Sequence, residues 1–228
     1  METDAFSRLK NAFAGDGISD AAWEKIGAMA ALHREWNAKI NLVSRKDIDN
    51  LELHHYAPCL AVVRFLRLMA GARVADVGTG GGFPGLLLAV VFPQARFTLI
   101  DSIAKKIGVV DDIAKKLGLK NVETCVVRAE NFSKKFDFVT GRAVSNLPQF
   151  FGFVRKLLAP GMKNSLANGI IYWKGGEIAT ETDALGCEPD KIYDLREMLG
   201  DDYFAEKYIL HFRCGDVFRA RRPGFARR

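Results

Sequence analysis

The run Asp76-Val77-Gly78-Thr79-Gly80-Gly81-Gly82-Phe83-Pro84-Gly85 constrains this chain more than any other segment. It follows a predicted strand, Arg73–Val77, and opens a predicted helix, Pro84–Val91, with proline near the first turn. Glycines let the backbone turn sharply and come close to a ligand. In open α/β sheets the crevice where a strand hands over to a helix is where cofactors bind. At the end of the next predicted strand, Arg96–Ile100, Asp101 is placed to receive ribose hydroxyls.

Periodicity downstream supports that setting. Predicted elements continue as a helix at Lys105–Leu117, strands at Val122–Val127 and Phe136–Thr140, and a helix at Leu147–Leu158. Further strands are expected at Ile170–Trp173, Ile192–Glu197 and Lys207–Phe212. Such alternation implies a mostly parallel sheet covered by helices on both faces. Residues 1–70 read differently, as helices at Ala5–Phe13, Asp20–Trp36 and Leu51–Met69. Ser19 is the expected N-cap of the second, which carries an apolar stripe of Ala22, Trp23, Ile26, Met29 and Ala30. Met29 and Met69 are expected in the core. The organisation is therefore a helical extension (1–70) packed on a core domain (71–218), followed by a basic tail (219–228).

Two cofactors can claim the glycine run. Gly80-x-Gly82-x-x-Gly85 satisfies the dinucleotide pattern, with Asp101 near the right distance for an adenosine ribose. Asp76, two residues before the first glycine, weighs against it. A carboxylate beside a pyrophosphate is repelled, whereas beside the cationic aminoacyl end of S-adenosylmethionine (AdoMet) it is attracted. Asp-x-Gly-x-Gly-x-Gly therefore favours AdoMet. Arg128-Ala129-Glu130 follows the next strand, in a loop that in this fold lies beside the adenine.

Composition fits an ordinary soluble globular protein, and a cytosolic chain is expected. Apolar residues make up 49% and charged residues 26%, and the N-terminal METDAFSRLK is too acidic for a signal peptide. Cys59, Cys125, Cys187 and Cys214 are far apart, so reduced structural cysteines and no metal are expected. The formal charge is +6, and five arginines with no acid in residues 219–228 leave only +1 for everything before them. A basic tail on a near-neutral body suits a polyanion clamp.

These residues resemble the glucose-inhibited-division protein B family, bacterial methyltransferases that act on N7 of a guanine in the 530 loop of 16S ribosomal RNA. The resemblance runs through Trp36-Asn37-x-x-Ile40-Asn41-Leu42, His55, DVGTGGGFPG at 76–85 and Leu99-Ile100-Asp101-Ser102 followed by Lys105-Lys106. It continues through Ala129-Glu130, Arg142-Ala143, Lys174-Gly175 and the arginine–proline–glycine tail. It implies a Rossmann-like class I AdoMet-dependent methyltransferase fold, with a mostly parallel seven-stranded sheet and an N-terminal helical extension. It places AdoMet at Asp76, Gly78, Gly80, Gly82, Phe83, Asp101, Ser102, Ala129, Glu130 and Arg142. The guanine-side residues it implies are Asn37, Asn41, Arg142 and Lys174. The implied partner is 16S ribosomal RNA or the small subunit, with no DNA and no membrane, for a monomer in the cytoplasm. Departures occur at His54, where many members have arginine, at Pro58, where they have aspartate, and at Lys207, where they have arginine. A catalytically dead RNA-binding protein and a small-molecule methyltransferase are the competing readings. The intact glycine run opposes the first, and the arginine cluster has no role in the second.

Overall fold

The computed structural model describes residues 4–44 and 46–221. Its first two helices, α1 (Ala5–Ala12) and α2 (Asp20–Asn37), each begin at a side chain that satisfies free amides. Asp4 accepts from the amides of Phe6 and Ser7, and Ser19 accepts from that of Ala22 at 3.2 Å. The predicted stripe of α2 is buried, and it runs one turn further to His33.

The single helix expected over Leu51–Met69 is broken. Leu51–Tyr56 is wound as a π-helix, α3 (Ala57–Leu60) is regular, and a tight turn at Ala61–Arg64 ends the run. Pro58 supplies the reason. It has no amide hydrogen to close an i→i−4 bond, so the turn before it widens. Met69, expected in the core, lies beyond the break and is 58% exposed.

The alternating part follows as β1 (Arg73–Val77), α4 (Gly85–Val91), β2 (Arg96–Asp101), α5 (Ala104–Lys116), β3 (Val122–Val126), β4 (Phe138–Arg142), α6 (Leu147–Val154) and β5 (Gly169–Gly175). It closes with α7 (Ala179–Leu185), β6 (Lys191–Asp194), α8 (Leu195–Leu199), β7 (Lys207–Arg213) and α9 (Cys214–Arg219). Two strand expectations need correction. The strand predicted at Phe136–Thr140 is displaced by two residues, which puts Arg142 at its end rather than in the loop after it. The strand predicted at Ile192–Glu197 stops at Asp194, whose carboxylate accepts from the amides of Arg196 and Glu197 and starts α8.

The seven strands lie in the order β3-β2-β1-β4-β5-β7-β6. The first five are parallel, and β7 runs antiparallel to both of its neighbours. Side chains alternate across the sheet, as strand geometry requires. Val74, Leu99, Phe138, Ile171 and Ile209 join a core shared with the N-terminal helices, α4 and α5. Their neighbours Ala75, Ile100, Val139, Ile170 and Leu210 face a second core under α6, α7 and α9. The strand order reverses between β1 and β4, and it is at the C-terminal ends of strands at such a reversal that open α/β sheets form their ligand crevice. Among the described residues, no helix is long and apolar enough to cross a membrane.

Candidate active site

The glycine run forms the loop from β1 into α4, and Asp76 lies beneath it. That carboxylate is completely buried, where it accepts from the Thr140 hydroxyl at 2.8 Å, the Thr79 hydroxyl at 2.5 Å and the Gly85 amide at 3.0 Å. Burial pushes its pKa up to about 6, against the opposing pull of those bonds. These hydrogen bonds make Asp76, expected beside the cofactor's aminoacyl end, a brace under the loop. Gly85 completes the brace, because a Cβ there would lie 2.7 Å from the carboxylate.

Gly78, Gly80 and Gly82 have φ of +68°, +57° and +95°, a region that side chains other than glycine's rarely adopt. Their surroundings differ. A Cβ on Gly78 would meet Val144 at 2.8 Å and one on Gly82 would meet Leu86 at 2.4 Å, whereas at Gly80 the nearest atom is 3.9 Å away. Gly80 therefore faces the open crevice. Its amide donates to Asp101 at 3.0 Å, and the other Asp101 oxygen accepts from Ile103 at 2.9 Å. A carboxylate has about four acceptor positions, so two remain for a ribose diol. Ile103, beside it, is 48% exposed, an apolar surface suited to a purine ring.

The N-terminal helices grip this loop through His33, which sequence reasoning passed over. Its Nε2 donates to the Gly81 carbonyl at 2.7 Å, and its Nδ1 therefore accepts from the Tyr56 hydroxyl at 2.6 Å. The signal was available in its place on the buried stripe of α2, one turn after Met29 and Ala30. Burial holds the His33 pKa down at about 4. A folded-state pKa below the ordinary 6.5 gives stability that is present above pH 6.5 and lost as pH falls towards 4. The shift corresponds to about 3 kcal/mol at neutral pH. His33→Gln keeps a donor for Gly81 and removes the titration. Relative to this variant, the native chain should lose about 2 kcal/mol of stability between pH 7 and pH 5. Parallel denaturant melts at the two pH values would read this, and equal losses would refute it.

Phe83 lies between His33, His55 and Tyr56, with ring centroids 4.8, 5.7 and 5.9 Å away, and the Arg142 guanidinium is 5.6 Å from its ring. Arg142 ends β4 and reaches to the broken helix. It donates to the His55 carbonyl at 3.0 Å and to His55 Nδ1 at 2.5 Å. Ala143, which follows, has a φ of +53° and turns the chain so that Val144 covers Gly78. Beyond Arg142 lies a cavity of about 220 Å³ lined by His55, Arg142, Lys174, Tyr203 and Lys207 among others. Lys174, the penultimate residue of β5, lies beside it and pairs with Glu181 at 2.8 Å. The Tyr203 ring is stacked on His54 with centroids 3.5 Å apart, and Lys207 covers it at 3.3 Å. Cys59 also touches Arg142, yet burial pushes its thiol up to about 11, the environment of an inert cysteine.

Residues 23–185 match the model of the rRNA small subunit methyltransferase G family, a span that holds most of α2, the glycine loop, Asp101, Arg142 and Lys174. The chain belongs to that family. Family relatives include the ribosomal RNA small subunit methyltransferase G of Flavobacterium psychrophilum, 45% identical over 80% of this chain and 87% of the relative. The Porphyromonas gingivalis protein of the same name is 47% identical over 72% of this chain and 75% of its own length. A SAM-dependent methyltransferase structure from Aquifex aeolicus shares the fold, with a TM-score of 0.51 and 18% identity over 70% of this chain and 90% of that one.

In this family member the structure brings part of the expected set together. Gly80 and Asp101 are bonded, the Arg142 guanidinium lies over the Phe83 ring, and Arg142 and Lys174 line one cavity. Asn37 is drawn elsewhere, because its oxygen accepts from the amides of Leu42 and Val43 at 2.8 and 3.0 Å. That folds the loop after α2 so that Leu42 packs near Gly81. Asn41, Ser102 and Glu130 are exposed, and Ala129 is buried beside Glu130 in a tight turn after β3. Two tryptophans near the site have their indole N–H groups taken by the protein. Trp36 donates to Asp112 at 2.7 Å and Trp173 to the Pro58 carbonyl at 2.7 Å.

Proposed function

We propose that this chain transfers a methyl group from AdoMet to N7 of a guanine in the 530 loop of 16S ribosomal RNA. The observation that supports it most is the chemistry beside the glycine loop. The strand ends there present two cations as donors, Arg142 and Lys174, and the two acidic or basic groups nearest the loop are engaged in the fold. Asp76 is enclosed under the loop, and both ring nitrogens of His55 are bonded. Guanine N7 has a free in-plane lone pair, so its alkylation needs orientation and no base. Cytosine C5 chemistry needs an activated thiolate, which Cys59 is not.

The residues present fit the cofactor. Bound at the glycine loop, AdoMet supplies an electrophilic sulfonium methyl. Asp101 receives the ribose, the backbone at Gly78–Gly82 leaves room at Gly80, and Ile103, Ala129 and Glu130 take the adenine. On the other side Arg142 and Lys174 hold guanine O6 and the adjoining phosphate. Lys174 spends one of its three donors on Glu181 and keeps two for substrate. Asn37 acts by shaping the loop that carries Asn41 to the rim. We assign the activity to a cytoplasmic monomer that takes RNA rather than DNA. Mapping of 7-methylguanosine in small-subunit RNA, with and without the protein, tests the reading; an unchanged methylation pattern would reject it.

The basic tail bears on RNA affinity. Its first part belongs to the fold: Ala220 is buried, and the Arg155 guanidinium donates to the carbonyls of Val217 and Ala220. Residues 222–228 lie outside the described residues and carry three of the five arginines. Removing 222–228 should leave AdoMet affinity unchanged and weaken RNA binding. The slope of log affinity against log salt should become shallower by about two to three, since each phosphate contact releases roughly 0.7–0.9 counterion. Identical slopes for the two proteins would make the tail a solubility feature.

A further inference from the structure

His55 stands in contact with Arg142, and Asp47 stands behind His55 on the side away from the guanidinium. Both His55 ring nitrogens are committed. Arg142 can only donate, so Nδ1 accepts from it at 2.5 Å, and the proton on Nε2 is donated to Asp47 at 2.5 Å. Asp47 also receives His54 at 2.7 Å, so one carboxylate orients two adjacent imidazoles. The geometry is a chain of carboxylate, imidazole and guanidinium, carried on the widened turn Leu51–Tyr56. That turn matters to the contact. Arg142 bonds the backbone carbonyl of the same residue whose ring it touches, so ring and carbonyl together fix the plane of the guanidinium.

We infer that Asp47 and His55 are positioning residues that set the plane of the Arg142 guanidinium for the methyl-accepting base. The inference rests on the substrate-side role proposed for Arg142. Burial, and next the neighbouring Arg142 charge, lower the His55 pKa to about 4, which keeps Nδ1 free to accept at neutral pH. Asp47 fixes the tautomer, because a proton on Nδ1 would face the guanidinium donor with another donor.

Two substitutions separate this role from a merely structural one. In His55→Asn the side-chain oxygen falls near the position of Nδ1, so the acceptor for Arg142 survives and the donor to Asp47 is lost. In His55→Gln the amide reaches the position of Nε2, so the tie to Asp47 survives and Arg142 loses its acceptor. Single-turnover methyl transfer should stay within about threefold of wild type in the Asn variant and fall about 30-fold or more in the Gln variant, part of the 10²–10³ expected for removing an oriented donor outright. AdoMet affinity should be unchanged in both, with the loss in kcat rather than in KM for RNA. A purely structural tie between Asp47 and the broken helix would give the reverse order, and that order would overturn the inference. So would equal rates in both variants. If His55→Gln does not fold, Asp47→Ala is read in its place. Transfer lost with AdoMet affinity kept supports the relay, and wild-type transfer rejects it. Arg142→Ala in the same assay separates the two levels. Wild-type transfer there would refute the role of Arg142 itself, whereas impaired Arg142→Ala beside an active His55→Gln would refute the relay alone.

Discussion

Gly80→Asp should reduce AdoMet affinity by about 100-fold or more while the protein remains folded. Three effects coincide at this position. The backbone has a φ of +57°, where a side chain costs roughly 1–2 kcal/mol. The new carboxylate would project into the open side of the loop, the space a ligand needs, since no atom lies within 3.4 Å of a Cβ there. It would also stand close to Asp101, which accepts the Gly80 amide, so two like charges would share the ribose position. Strain alone is controlled by Gly118→Asp. Gly118 has a φ of +62° and nothing within 4 Å of its Cβ, and it lies at the end of α5, away from the crevice. That variant should lose comparable stability and bind AdoMet normally. Calorimetry showing undiminished affinity in folded Gly80→Asp protein would remove the glycine loop from the cofactor site. Gly82 is a poorer probe, because a Cβ there strikes Leu86 at 2.4 Å and damages packing first.

Arg142→Ala should cost about 10²–10³ in the rate of methyl transfer and leave AdoMet affinity within about twofold. The magnitude is that of removing one preorganised donor from a site in which charge is redistributed. Arg142→Lys should recover little of it. A lysine has no planar fork, so it cannot bond the His55 ring and carbonyl together and still present a donor edge to a base. Truncation leaves His55 Nδ1 without its partner, so a thermal melt belongs with each rate. A folded Arg142→Ala protein that transfers methyl groups at the wild-type rate would end the substrate-side assignment.

The fold was legible where residues report their surroundings through spacing. The strand β1, the glycine loop and the buried stripe of α2 all declare themselves, because period two, period 3.6 and clustered glycine each have one physical meaning. The broken helix did not. Pro58 was visible, but its effect depends on whether packing sustains the helix on both sides of it, and here Leu51, Tyr56 and Leu60 are all buried. The short helices α7, α8 and α9 escaped for a different reason: at seven residues or fewer, a helix completes too few turns to show a period.

For the site, sequence motifs named residues without saying which way they point. Asp76 and Asn37 turned out to spend their oxygens on backbone amides and hydroxyls, roles that spacing cannot distinguish from ligand contact. His33, Ile103 and Tyr203 carried no motif. Their significance comes from contacts between segments far apart in the chain, such as α2 with the glycine loop and His54 with Tyr203.

With AdoMet at the glycine loop as proposed, the bond from His33 to the Gly81 carbonyl couples docking of α2 to cofactor affinity. Linkage is reciprocal: the factor by which a docked α2 tightens the loop around its ligand is the factor by which that ligand resists undocking of α2.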